Sequence, residues 1–427
     1  MAARRLPSAL QDLPALARTV AGDFAIAARN ILRQARRSAV ALAAVTGGVM
    51  AMLIASGFFE WNFEFMRENS IRSRIGHIQV MKAGYLENGV ADPFRYLIDE
   101  RSPDRARIEG FEGVDVVAPR LGFGGLISIG DSTVSFAGEG VDPVKERKAS
   151  DAILMLQGTD LSAIDAKEVL VGQGLAENLK LKIGDSVVLL ASTASGGVNA
   201  VEVRVTGIFA TITKAYDDFA IRLPLATAQG LLRVNGVHQW LVLLERTDLT
   251  DRVIGPMRAA VTDRSLQLVP WHETSTADFY NKTVKLFSMQ VFVVQVMIAV
   301  IIVLSISNTM MTNVRERYAE IGTCLALGDT GRVILRRFLA EGIVIGMIGG
   351  LLGCVLGWCA AWLITWVGIP MPPPPGVVRS FTAGILVTPG LLGQALALAL
   401  VTTFIAGLLP AWRASRLPIV DALRHAR

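Results

Sequence analysis

Cysteine is scarce in this chain. The three present, Cys324, Cys354 and Cys359, all lie in the last quarter, and residues 60–285 contain none. That long segment is therefore not a disulfide-stapled scaffold. Histidine is scarce too: His77, His238, His272 and His425 are the whole set. His272-Glu273 lacks a second histidine one helical turn later, and no spacing suits a metal site, so these read as satisfied surface or turn histidines. No G-x-x-x-x-G-K-[ST], G-x-S-x-G, H-E-x-x-H or C-x-x-C occurs. The carboxylate pair Asp217-Asp218 has no recognisable partner context. The chain is expected to be no enzyme, with no catalytic residue, metal or cofactor of its own.

Charge is missing in blocks. Ser38–Phe59, Leu286–Val314, Gly342–Val378 and Ser380–Trp412 carry none over 22, 29, 37 and 33 residues. A helix rises about 1.5 Å per residue, so roughly 20 apolar residues cross a bilayer core. With 52% hydrophobic residues and a mean hydropathy of +0.46, the chain reads as a four-span membrane protein. The spans fall near 38–59, 287–309, 339–367 and 386–409. MPPPPGVV at 371–378 cannot continue a helix and reads as a stiff outside loop.

Between the first two spans lies a segment of ordinary soluble composition, 60–285, long enough for its own core. Its strand signals are 77–81, 114–119, 126–129, 133–138, 186–192, 201–209 and 240–245, with a hairpin turn at Ser195-Gly196-Gly197. Helical signals fall at 103–110, 172–180, 224–233, 249–262 and 272–285. The expected fold is an α-helical membrane domain plus a large mixed α+β domain inserted between helices 1 and 2. Two lobes are expected in it, 60–145 with 236–285, and an insert at 146–235.

Arginine sets the orientation. The leader 1–37 has seven Arg against two Asp, the 310–337 loop five Arg against three acids, and the tail 411–427 four Arg against one Asp. Segment 60–285 has 25 basic and 30 acidic residues. Both termini should be cytoplasmic and the large domain outside. The basic pI is thus a topology signal, and no nucleic-acid partner is expected. The leader is long for a signal peptide and no small-x-small site follows the run, so an uncleaved anchor is expected. Residues 16–37 suit a helix on the inner membrane surface or a simple basic anchor.

Residues 313–328 read as one amphipathic cytoplasmic helix. Val314, Tyr318, Ile321 and Leu325 share a face, and Arg315, Glu316, Arg317 and Glu320 occupy the rest. It is either a contact for another protein or a solvated connector. Gly342, Gly346, Gly350 (or Gly349), Gly353 and Gly357 form a small-residue stripe suited to close helix packing in the third span. Glu341 reads as an anchor at the cytoplasmic edge.

VRERYAEIGTCLALG (314–328), the I-x3-F-x2-EG-x2-IG pattern from Ile334, and the tail PAWRASRLPIVDALR (410–424) together resemble the FtsX-like permease domain of ABC transporters. GHIQVMKAGY (76–85), VLVGQGLAENLKLKIGDSVVLL (169–190), VRVTGIF (203–209) and VPWHE (269–273) resemble lipoprotein-releasing permeases of the LolC/LolE type, with a MacB-like periplasmic domain. The family's basic residue near the Ala-Leu-Gly triplet is Leu325 here, and its tail Asp-Pro is Pro418-Ile419. The resemblance implies a bacterial inner-membrane permease subunit working as a dimer, with the same or a homologous protomer, on two copies of a separate ABC ATPase that binds ATP and Mg. It implies ATPase coupling through Arg315, Glu316, Arg317, Glu320, Gly322 and Gly328. It also implies contact with membrane lipid and allows a periplasmic acceptor protein. The expected cargo is a lipoprotein or other amphiphile, with no substrate residue identifiable. The alternatives are control of a periplasmic cell-wall hydrolase, or a membrane-anchored binding protein without an ATPase.

Overall fold

The computed structural model describes residues 22–24, 26–27, 29–30, 33, 35–89, 91–211, 213–371 and 381–418. Most of the leader, the proline-rich segment and the end of the tail lie outside the described residues. The chain forms two units. One comprises residues up to Asn62, Lys285–Ile369 and the segment from Thr382 on; the other comprises Phe63–Val284 and Pro370–Phe381.

Four long apolar helices dominate the first unit: α1 (Ala35–Ser70), α2 (Ser275–Glu316), α4 (Gly331–Val367) and α5 (Pro389–Ser415). A fifth, α3 (Tyr318–Ala326), is short and joins α2 to α4. Each long helix contains a stretch apolar enough to cross a membrane. The helices overrun the spans read from composition. At about 1.5 Å per residue α2 is about 63 Å long, twice a bilayer core. A helix has no reason to stop where the hydrocarbon does, because its backbone hydrogen bonds continue into polar surroundings. The helical signal at 272–285 is accordingly the start of α2 and no separate element.

The core of this unit is built from Val45, Val49 and Leu53 of α1, Ile302, Ile306 and Met310 of α2, Ile345 of α4 and Ala395, Ala399 and Ala406 of α5. Small residues on α5 and glycines on α4 let these helices approach. Thr388 caps α5 by accepting from the Leu391 amide at 3.2 Å, and Pro389 takes the first helical position, where no amide is needed. Pro410 sits inside α5, and the helix continues through it to Ser415.

Beside a small two-stranded pairing of Ile98–Asp99 with Gly236–Val237, the second unit is built on a mixed ten-stranded sheet with short helices. Its strands are β1 (Ile78–Lys82), β2 (Val114–Ile129), β3 (Ser132–Val141), β4 (Leu154–Gly158), β5 (Glu168–Gly172), β6 (Ser186–Ser192), β7 (Val198–Ala210), β8 (Ala220–Pro224), β9 (Gln239–Leu244) and β10 (Leu266–Pro270). They run β10-β1-β9-β2-β3-β8-β5-β7-β4, and β6 bridges β2 and β7. Strands from both expected lobes thus share one sheet. The segments 114–119 and 126–129 belong to one strand, β2, which passes through Gly122, Gly124 and Gly125. A side chain at Gly125 would collide with the Leu190 carbonyl of β6, so glycine is required where those backbones close in. The hairpin between β6 and β7 turns at Gly196, φ +82°, and is closed by the Thr193 amide on the Gly197 carbonyl, 2.8 Å.

Candidate functional site

The region between α2 and α4 departs from a single helix over 313–328. α2 stops at Glu316, Arg317 adopts φ −99° and ψ 14°, and α3 starts at Tyr318. α3 then ends in a paired turn: the Gly328 amide donates to Leu325 and the Asp329 amide to Cys324, 3.2 and 3.0 Å. Gly328 carries φ +106°. This satisfies the last carbonyls and requires a residue tolerant of positive φ.

The apolar side of this segment is seated. Val314 and Ile321 pack with Ile334 and Phe338 of α4 and with Ala411 and Ala414 of α5; Tyr318 and Leu325 flank that cluster. The opposite side is open. Arg315, Glu316, Glu320 and Thr323 are exposed, and Leu327 is 85% exposed. Leu327 and Thr323 were not singled out by sequence reasoning; their pattern gives no signal until the buried face is known.

The residues expected to couple divide into two groups. Arg315, Glu316 and Glu320 point outward. Gly322 is buried and Gly328 forms the turn. Arg317 turns inward, with Nε 3.0 Å from Glu320 Oε2 and Nη1 3.6 Å from Glu341 Oε2. Glu341 is buried, so it is no exposed edge anchor. Nearby, Asp23 of the leader is buried against Arg336, and Arg337 reaches Asp329 at 2.8 Å.

The glycine stripe of α4 has two partners. A Cβ at Gly342, Gly346 or Gly350 would press on α5, at Thr403 or Ala399, with Met310 of α2 also against Gly342. One at Gly349, Gly353 or Gly357 would press on Val45, Val49 or Leu53 of α1. Gly349 and Gly350 are thus both used, each toward a different helix.

In the second unit the chain beyond α1 enters the sheet domain through a π-helical turn, Ile71–Ile75. Its carbonyls meet a buried charge network. Arg120 of β2 pairs with Glu146 through two nitrogens, 2.6 and 3.2 Å, and donates to the Arg74 carbonyl. Ser150 bridges Glu146, 2.5 Å, and the Ser73 carbonyl, 3.3 Å. Arg222 of β8 pairs with Glu146 at 2.9 Å and with its cross-strand neighbour Glu139 at 3.0 Å. Burial alone would raise the Glu139 carboxyl, but Arg120, Arg222 and Arg74 outweigh it and lower it to about 2. Glu139 is therefore ionised at neutral pH.

Two histidines are buried outright. His77 Nδ1 accepts from the Leu244 amide at 2.9 Å, so the proton sits on Nε2 and is donated to Thr247 Oγ1, 2.9 Å; Thr247 donates onward to Glu68, 2.6 Å. Burial lowers His77 to about 4, against the pull of Glu68. His238 is lowered to about 4 by burial as well, and stacks on Tyr85. Neither is a surface histidine. His272 is partly exposed, and His425 lies outside the described residues. Asp217 closes a turn by accepting from the Thr211 amide, 2.9 Å, and Asp218 pairs with Lys214, 2.8 Å.

Four helices long and apolar enough to cross a membrane, an α/β domain inserted between the first two and a short seated helix define a multi-span membrane-protein architecture. Comparison by sequence gives the family. A model of the MacB-like periplasmic core domain matches residues 38–260, over half of the chain, and a model of the FtsX-like permease C-terminal region matches 292–419. The chain belongs to this FtsX/MacB-like family of ABC transporter permeases. No curated protein matches. Solved structures similar to it include the extracellular domain of the noncanonic ABC-type transporter YknZ from Gram-positive bacteria, at 14% identity and TM-score 0.32, covering 45% of this chain and 98% of that one. The periplasmic region of MacB from Actinobacillus actinomycetemcomitans is similar at 11% identity and TM-score 0.36, covering 49% and 94%. A domain of a putative permease protein from Porphyromonas gingivalis is similar at 15% identity and TM-score 0.31, covering 47% and 92%.

Proposed function

We propose that this chain is the membrane subunit of an ABC transporter whose ATP hydrolysis takes place in a separate partner. Two copies of that ATPase, carrying ATP and Mg, would dock on the cytoplasmic side of a permease dimer, either two copies of this chain or a heterodimer. Both termini would lie in the cytoplasm and the sheet domain in the periplasm. The observation that carries this reading is the 314–327 segment: the end of α2 and α3 are seated by Val314 and Ile321, while Arg315, Glu316, Glu320 and Leu327 are exposed to solvent. A merely solvated connector has no need of a built apolar seat.

The cargo of this reading is a lipoprotein or another amphiphile taken from the inner membrane. Supporting it, the four spans read from composition hold no charged residue but Glu341, whereas routes for hydrophilic solutes usually need several. Work done by the ATPase would then move the outer domain and not a solute through the bilayer.

The test is gentle purification of the tagged chain from its native membrane, followed by mass spectrometry. A stoichiometric partner with a phosphate-binding loop supports the reading, and a second permease in the sample indicates a heterodimer. Reproducible absence of any ATPase from intact chain refutes it.

A further inference from the structure

Arg317 is the single residue between α2 and α3, and it is not helical. Its guanidinium reaches two carboxylates in very different surroundings. The Glu320 side chain is 71% exposed, while that of Glu341, within α4, is 6% exposed. The same guanidinium lies over the Phe338 ring, 5.7 Å from its centroid. Among the described residues, Arg317 is the cation paired with Glu341.

A carboxylate buried among packed helices is costly unless a cation attends it, and an apolar residue of similar size is often the more stable choice. Stability therefore does not explain Glu341. Geometry does: the guanidinium hydrogen-bonds Glu320 at 3.0 Å and at the same time lies in ion-pair range of Glu341, 3.6 Å, so one cation spans two carboxylates. One carboxylate belongs to α3 and the other to α4.

We propose that Arg317 is a positioning residue. Anchored by buried Glu341, it sets the angle of α3 on α4, so that load applied to α3 reaches the third span instead of bending the chain at the end of α2. This rests on the reading that a partner ATPase acts on α3, and it deepens that reading. Arg317 is thereby removed from the partner surface, which is left to Arg315, Glu316, Glu320, Thr323 and Leu327.

The test is amide hydrogen exchange on the full chain in lipid nanodiscs. Arg317→Ala should raise exchange across Tyr318–Ala326 by on the order of tenfold, with the glycine stripe of α4 unchanged. Arg317→Glu combined with Glu341→Arg should restore protection, an outcome that simple loss of packing does not give. Arg317→Gln with Glu341→Gln keeps both positions polar and leaves no buried charge unpaired, so it guards against misfolding, and it too should loosen α3. Wild-type exchange in both the Ala and the double Gln variants overturns the proposal. In the purified complex the double Gln variant should keep its ATPase at wild-type stoichiometry while ATP hydrolysis changes several-fold. Unchanged hydrolysis with a loosened α3 also overturns it. If the wild-type chain brings down no ATPase, the proposed function fails, while exchange still decides whether Arg317 positions α3.

Discussion

Ser307 of α2 donates to the carbonyl of Ala406 in α5 at 2.8 Å. That carbonyl is the one that Pro410, four residues on and without an amide hydrogen, leaves unserved. In a membrane an unserved carbonyl has no water to turn to, so a neighbouring hydroxyl takes the amide's place. Ser307→Ala should destabilise the helix unit by about 1 kcal/mol. In a Pro410→Ala background the amide returns and the serine should matter far less. A double-mutant cycle on thermal unfolding in detergent reads the coupling; additive effects would contradict it.

The glycine stripe makes a graded prediction. A Cβ at Gly353 would stand 2.6 Å from Val49 Cβ and 3.0 Å from the Thr46 carbonyl, whereas at Gly393 it would meet nothing within 4 Å. Gly353→Ala should therefore cost about 1–3 kcal/mol by overpacking, and Gly393→Ala should be neutral or slightly stabilising. The difference in melting temperature between these two variants is the measurement.

The buried charge network should respond asymmetrically. Arg120→Met leaves Glu146 with Arg222 but strips it of its bidentate partner and frees the Arg74 carbonyl. A loss of about 3–5 kcal/mol is expected, of the kind seen when one member of a buried pair is removed. Arg147→Met, at an exposed pair with Asp160, should cost under about 1 kcal/mol. Denaturant unfolding followed by intrinsic fluorescence would separate the two; equal losses would mean the network carries no special weight.

Acid should loosen the sheet domain through His77 and His238. Both have native values of about 4, below the ordinary value near 6.5 of an unfolded chain. The unfolded state therefore takes up protons first. The contribution is fully present above about pH 6.5 and is lost as pH falls toward 4, by on the order of 3 kcal/mol per histidine at the bottom of that window. Melting temperature followed from pH 7.5 to 4.5 should fall, and His238→Gln should remove about half of the histidine part of the slope. A flat profile would mean that neither histidine is held neutral.

Leu327→Asp and the pair Glu316→Ala with Glu320→Ala alter the exposed side of the 315–327 segment and not its seat. They should reduce co-purification of the partner ATPase several-fold while leaving the melting temperature within about 1 °C, since surface changes of this kind move stability little. Wild-type recovery of the ATPase would place its contact elsewhere.

The spans were readable because an absence of charge over twenty or more residues has one common cause. The seat of α3 was readable too, since Val314, Tyr318, Ile321 and Leu325 repeat at helical spacing. Its interruption at Arg317 was not, because Glu341, the buried carboxylate toward which Arg317 turns, is distant in sequence. Strand β8, Ala220–Pro224, was missed for a related reason: Arg222 interrupts its apolar run, and only the paired Glu139 and Glu146 make an arginine acceptable there. Strand β2 was read as two pieces because its glycines look like a turn, whereas they admit the backbone of β6. Neither the two partners of the glycine stripe nor the exposed Leu327 leaves a trace in local pattern.

The order of the sheet has a consequence for how the protein is made. β1, the first strand synthesised, lies between β9 and β10, the last two. It has no neighbour to pair with until nearly the whole inserted domain has emerged, and contacts so distant along the chain form slowly. Until then β1 is an unpaired strand, open on both edges and prone to wrong pairings. Closure of the sheet comes just before α2 is synthesised, so a truncation that ends before β10 yields not a smaller domain but one that has never shut.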